Sequence, residues 1–197
     1  NVYIVDQNGN STTHGAFGWK NEHYCNLEIY TENGKIEGHL SSLVCRNFWK
    51  NFDDKTQTEY DYSLANGDIL LFIINCIKGK VLYLEDSMST YRHITSQGTS
   101  WSARMKNKNR SLIEYNAVIA VKEFVQKSFS LNLCVSKALD KIVVNSLYFY
   151  LKTRSIEDRK ILSELIKRNR MNLNIVSLTV KVFLQKVINK ISRITKR

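Results

Sequence analysis

The chain contains no proline in 197 residues, an absence in step with its excess of Lys, Asn and Ile and not in itself a structural signal. It has no run of about 18 or more apolar residues, which excludes a membrane-spanning helix. It also does not open on the charged, apolar and small-residue series of a signal segment. Its four cysteines, Cys25, Cys45, Cys76 and Cys134, form no C-x-x-C pair. They are expected to be free, mostly buried thiols in a reducing compartment, and nothing in their spacing points to metal. Internal repeats and low-complexity tracts are missing too. Acidic residues almost vanish toward the end: from Lys160 to Arg197, Glu164 stands alone against ten Lys or Arg. Most of the formal net charge of +11 therefore lies in this stretch, and the preceding residues are close to neutral.

What is present is an ordinary globular composition, 43% hydrophobic, in a chain long enough to bury a real core as one domain or one domain with an appendage. The opening NVYIVDQNGN carries no initiator Met and already lies inside an alternating strand, so a fragment's start is expected. Val2, Ile4 and Val5 run into Asp6-Gln7-Asn8-Gly9-Asn10, a hairpin-type Asn-Gly turn. Residues 14 to 36 show little periodicity. HLSSLVCRNFWKNF, residues 39 to 52, predicts a short strand bearing Leu40, Leu43 and Val44, then a helical turn with Phe48 and Trp49. The polar stretch DDKTQTEYDY predicts a loop.

Asn66-Gly67-Asp68 opens a strongly apolar segment closed by Lys78-Gly79. Ile69, Phe72, Ile73, Cys76 and Ile77 follow i, i+3, i+4, i+7, i+8, which predicts a buried helix. Lys80 to Leu84 is the strand after it, giving an α/β pair. A second half-apolar run ends in Tyr91, Arg92 and His93 and gives way to a small-residue loop, Thr95 to Ser100. From Ser102 onward the pattern is helical: one helix carries Leu112, Ile113, Val118, Val121, Phe124 and Val125, and others cover Leu139 to Leu151, Ile156 to Arg168 and about 175 to 194. A boundary near residue 130 separates a mixed α/β part, 1–130, from a basic all-helical extension, 131–197.

VYIVDQNGN, HLSSLVCRN, NGDILLFIINCIKGK and VLYLEDSMSTYR with a Gly-Thr-Ser-Trp-Ser loop occur in this order over roughly residues 1 to 125. Together they resemble the second half of the catalytic domain of bacterial family 2 glycosyltransferases, which have the GT-A fold. The resemblance implies a partial GT-A mixed sheet followed by the helical extension. It also implies a donor-binding half, with its Asp-x-Asp metal motif, that this sequence lacks; Asp53-Asp54 and Glu59-Tyr60-Asp61 lie in a polar loop on the wrong side of the Ser-Ser-Leu-Val strand. The implied activity is inverting transfer of a sugar from a nucleotide diphosphate donor to a glycan, lipid-linked or protein acceptor in cell-surface polysaccharide synthesis. The implied cofactor is a divalent metal, Mg or Mn, held mostly by the absent half.

Such a transfer needs a carboxylate to take the acceptor proton and positive charge to hold the departing diphosphate. Asp68 matches the family's base at the start of a helix; equally, an acid there favours the helix dipole by about 0.5 to 1 kcal/mol. Arg92, Trp101 and Arg104 match the donor and phosphate side, with Thr95 to Ser100 as a lid over the donor. The bland alternative is a surface loop before a helix capped by Ser100 or Ser102. Ser41, Ser42 and Arg46 fall on the acceptor side. His93 answers to a metal-ligand or phosphate-contact histidine, but it follows Arg92 directly where relatives often insert one residue. On a strand that shift turns the side chain to the opposite face.

In the last stretch, Val176, Val180, Phe183, Leu184, Val187, Ile188, Ile191 and Ile194 share one helical stripe, with Lys and Arg on the other faces. A basic helix of this kind suits an anionic membrane surface, and a cytoplasmic enzyme peripheral on the inner face of the cell membrane is expected. The competing readings are a basic nucleic-acid or membrane-binding module and an inactive truncated remnant. Nucleic acid is disfavoured as a partner, because the basic stretch has no interleaved aromatics.

Overall fold

A computed structural model describes residues 2–6, 8–14, 23–36, 44–45, 67–84, 86, 90–92 and 108–169. Strand β1 (Val2–Val5) turns back into β2 (Ser11–His14), with Val2 opposite His14 and Val5 opposite Ser11. The turn is closed by Asp6. Its Oδ1 accepts from the backbone N–H of Asn8 at 2.8 Å and of Asn10 at 2.9 Å, and its Oδ2 accepts from Asn10 Nδ2 at 3.0 Å. Gly9 adopts φ 83° there with nothing near the place of a Cβ, so the backbone sign alone calls for glycine. On its other side β1 pairs in parallel with β5 (Thr90–Arg92), giving the order β2-β1-β5.

A second, two-stranded antiparallel sheet joins β3 (His23–Cys25) to β4 (Val81–Tyr83). Alternation along these strands sends Cys25 and Tyr83 into the core and leaves Tyr24 and Leu82, opposite each other, exposed. The strand expected after the apolar segment is thus present. β3 lies in the stretch that offered no pattern, as does α1 (Leu27–Asn33). The helix is nonetheless well capped: Asn26 accepts from Glu28 N–H at 3.0 Å, and Gly34, at φ 64°, donates to the Tyr30 carbonyl.

Helix α2 (Gly67–Lys78) forms where the sequence predicts it. Its buried face differs from the expected stripe. Leu70, Phe72, Ile73 and Ile74 are the most deeply buried, while Ile69, Cys76 and Ile77 are only partly covered. With nearly every position apolar, periodicity does not select a face; neighbours close over the middle of the helix all round. Asn75, also buried, donates its amide back to the Leu71 carbonyl at 2.7 Å.

Three longer helices follow: α3 (Ser111–Phe129), α4 (Ser136–Thr153) and α5 (Ile156–Arg168). Tyr115, Val118, Val121, Phe124 and Val125 line the inner face of α3, whereas Ile113 is turned out. Helix α4 packs against α1, α3 and α5, so helices on both sides of residue 130 share a hydrophobic cluster running from Cys25 to Leu165. At Gly34 a Cβ would meet Val118 Cγ2 at 3.2 Å and Ala138 Cβ at 3.4 Å, which shows how closely the end of α1 lies on α3 and α4. The described structure is a helix-rich mixture of helices and two small sheets.

Candidate active site

The parallel pairing puts two carboxyl ends side by side. Tyr3, Ile4 and Val5 of β1 stand opposite Thr90, Tyr91 and Arg92 of β5, so the chain leaves β1 at Asp6 next to where Arg92 ends β5. Asp6 is the acidic group at this edge, but its carboxylate is committed to the turn. The hydrogen bonds from Asn10 and the N–H groups beyond hold it below the ordinary carboxylate range. The Asn-Gly pair was legible as a turn; the closing role of Asp6 was the part not foreseen, although Asx residues ahead of such turns are a signal for it.

Asp68 is the second residue of α2 and is partly exposed. It sits in the first turn of a helix whose centre is buried in the core. Ser41, Ser42, Arg46, His93, Trp101, Arg104, the Thr95–Ser100 stretch and the basic stripe between 176 and 194 lie outside the described residues. From the expected short strand and helical turn within 39–52, Val44 and Cys45 are described; both are exposed and in no strand. Of the sequence-derived site, then, the structure describes Asp68 and the backbone of Arg92.

Two other polar groupings are built by the helices. Asp158, 6% exposed, is in the first turn of α5, against the end of α4. Its carboxylate accepts from the hydroxyls of Ser155, at 2.6 Å, and Thr153, while Ser155 Oγ accepts from the Asp158 N–H at 3.0 Å. Burial pushes this carboxyl up, but the hydrogen bonds from Ser155, Thr153 and Asn109 outweigh it and hold the group below the usual Asp value. Asn109 also reaches Ser146 Oγ at 3.4 Å and accepts from Ser111 N–H, tying the start of α3 to α4. The Ser155-x-x-Asp158 spacing is a legible capping signal that the sequence reading did not use.

The second grouping surrounds Cys134. It sits in the connector from α3 to α4, where Leu133 and Val135 point inward and Cys134 outward. Hydrogen bonds from Ser136 lower its thiol below the ordinary cysteine value, aided by the positive charges of Lys122 and Lys137. All four cysteines are free, as expected, but Cys45 and Cys134 are exposed. For Cys134 the reason is that burial alternates along the connector, with Leu133 and Val135 covered on either side of it, which an apolar run conceals. Cys76, in contrast, is pushed up to about 12 by burial, with Cys25 nearby adding to the effect.

Among the described residues no group of three His, Cys, Asp or Glu side chains converges, so these residues do not provide a ligand set for the divalent metal that the resemblance implies. Among the same residues no helix is long and apolar enough to cross a membrane. No family model, curated protein or solved structure matches this chain.

Proposed function

We infer that this chain is part of an inverting glycosyltransferase of the family 2, GT-A type, acting on a nucleotide diphosphate sugar and a glycan, lipid-linked or protein acceptor in cell-surface polysaccharide synthesis. The observation that carries this reading is Asp68: a partly exposed carboxylate in the first turn of a helix anchored by a fully buried centre. A general base has to be held within hydrogen-bond reach of the proton it takes, and an anchored helix start does that better than a loop. The side-by-side carboxyl ends of β1 and β5 add support, since crevices outside the carboxyl ends of parallel strands are where such sheets take their ligands.

In this reading Asp68 accepts the proton of the acceptor hydroxyl. The acceptor oxygen forms its bond to the anomeric carbon from the face opposite the leaving group. The bond from that carbon to the diphosphate oxygen breaks, and its electron pair leaves with the diphosphate, inverting the centre. Arg92 and Arg104 offset the charge gathering on the diphosphate, Trp101 packs beside it, and Ser41, Ser42 and Arg46 orient the acceptor. The basic stripe between 176 and 194 brings the enzyme to the inner face of an anionic membrane, where lipid-linked acceptors reside.

The test is Asp68→Asn in the protein carrying this chain, assayed for release of nucleotide diphosphate from a panel of nucleotide sugars. Transfer should fall about 100-fold or more, with donor affinity by calorimetry unchanged. A variant that keeps more than about a tenth of the activity would reduce Asp68 to a helix start. A protein that turns over no nucleotide sugar, and binds duplex DNA with a steep salt dependence, would replace the enzyme reading by a nucleic-acid one.

A further inference from the structure

The corner between α4 and α5 is built unlike the rest of the helical surface. The helices fold back on each other across Arg154 and Ser155, with Arg154 at φ 56° and its N–H donating to the Tyr150 carbonyl. Every residue from Leu151 to Glu157 is exposed except Ser155, which is half-buried. Two aliphatic side chains stand at this projecting tip: Ile156 is 75% exposed and Leu151 44%. Around them are the exposed cations Lys152, Arg154, Arg159 and Lys160. Among the described residues none of these four is in an ion pair. Glu157 is the exposed acid here; the carboxylate of Asp158 is turned inward onto Ser155 and Thr153.

Helical phase makes the cations contiguous with the apolar tip. With Asp158, Leu162 and Leu165 buried, the opposite face of α5 carries Ile156, Arg159 and Lys160 at i, i+3 and i+4. Charge in the chain as a whole is skewed the same way. From Lys152 onward thirteen Lys or Arg face Glu157, Asp158 and Glu164, so the corner is where a nearly neutral chain becomes strongly basic.

We propose that the α4–α5 corner is a docking surface for an anionic lipid bilayer, with Leu151 and Ile156 entering the boundary between headgroups and acyl chains while Lys152, Arg154, Arg159 and Lys160 rest on the phosphates. The chemistry selects this partner. The outermost apolar side chains of the corner, Leu151 and Ile156, are aliphatic and offer no ring on which bases would stack; the exposed ring of Tyr148 lies one turn further back on α4. A rigid protein partner would need a hollow matched to the tip, whereas a bilayer accepts any convex apolar projection and rewards the ring of positive charge around it. The corner precedes the basic stripe between 176 and 194 in sequence, and the proposal does not rest on the glycosyltransferase reading.

The experiment uses the full chain and vesicles of phosphatidylcholine with or without phosphatidylglycerol. Wild type should sediment with the anionic vesicles and far less with the neutral ones. Leu151→Ser with Ile156→Ser, and separately Arg159→Gln with Lys160→Gln, should each weaken anionic-vesicle binding about tenfold while the thermal transition stays in place. Because both double variants retain residues 170–197, unchanged binding in both would assign membrane attachment to the tail alone and overturn the proposal. Ile156→Trp supplies a readout independent of those variants: its added fluorescence should shift to the blue on anionic vesicles and be quenched by brominated lipid. Failure of quenching while the protein is vesicle-bound would overturn the proposal. So would a blue-shifted emission without lipid together with a dimer in sedimentation, which would make a second copy the occupant.

Discussion

Residues 2–92 and residues 111–168 bury their apolar surface by different means. Among its described residues the front has strands of three or four residues in two sheets, with two helices between them in sequence. The back uses helices of 19, 18 and 13 residues packed on each other. A helix satisfies its own backbone and asks only for one covered face; a strand this short has no backbone partners until its neighbour arrives. No described side chain of the β2-β1-β5 sheet belongs to the hydrophobic cluster, and Tyr3 is 44% exposed. The front enters that cluster through β3, β4, α1 and α2 instead. The region proposed to do chemistry is thus anchored by a helix.

Cutting the cluster on each side tests whether front and back melt together. Leu165, on α5, is fully buried, and so is Ile73 on α2. Replacing either by Ala should cost about 2 to 5 kcal/mol in denaturant unfolding. If the halves share one cooperative core, each substitution moves one and the same transition, seen alike by far-ultraviolet dichroism and by fluorescence. Two transitions, with Leu165→Ala moving one and Ile73→Ala the other, would make them separate folding units.

A smaller effect comes from the polar anchor of the back. Asp158→Asn replaces the charged acceptor of two hydroxyls by a neutral amide and should cost about 1 to 3 kcal/mol. Because the folded carboxyl is held below its ordinary value, the stability it contributes is present above the unfolded Asp range and lost as pH falls through the lower folded value. The acid side of the wild-type stability profile should therefore be steeper than that of the variant. Parallel acid limbs would deny the carboxylate its role.

Smaller again is the seam between the regions. Gly34→Ala places a methyl 3.2 Å from Val118 at a left-handed backbone position, and a loss of about 1 to 2 kcal/mol is expected. At the bottom of the scale is the Lys137–Glu32 pair, 2.7 Å long across the same seam but exposed on both sides. Lys137→Gln should not shift the melting temperature measurably. A clear drop would mean that charge, and not the packing at Gly34, joins the two regions.

Legibility in the sequence followed the same division. The hairpin could be read from Asn8-Gly9, and α2 from Asn66-Gly67-Asp68 ahead of an apolar run and Gly79 behind it. The helices through Leu139 to Leu151 and Ile156 to Arg168 were readable from period alone. Missed were β3 and α1, three and seven residues long, too short to display a period although Asn26 and Gly34 marked both ends of the helix. At the candidate site, Asp68 was placed correctly as a helix start. The neighbour of Arg92 was not legible, because Val5 lies far away in sequence and pairing across such a separation leaves no local pattern.

What the sequence determined by itself is what a few consecutive residues settle: the Asn-Gly turn, the helical periods, the concentration of positive charge beyond Leu151. Tertiary structure decided which side of the uniformly apolar α2 is most deeply covered, which way Cys134 points, and that β5 joins β1 in parallel. The physical reason is that period and capping act over one or two turns of chain, whereas burial and strand pairing are choices among surfaces that exist only once the other elements have formed.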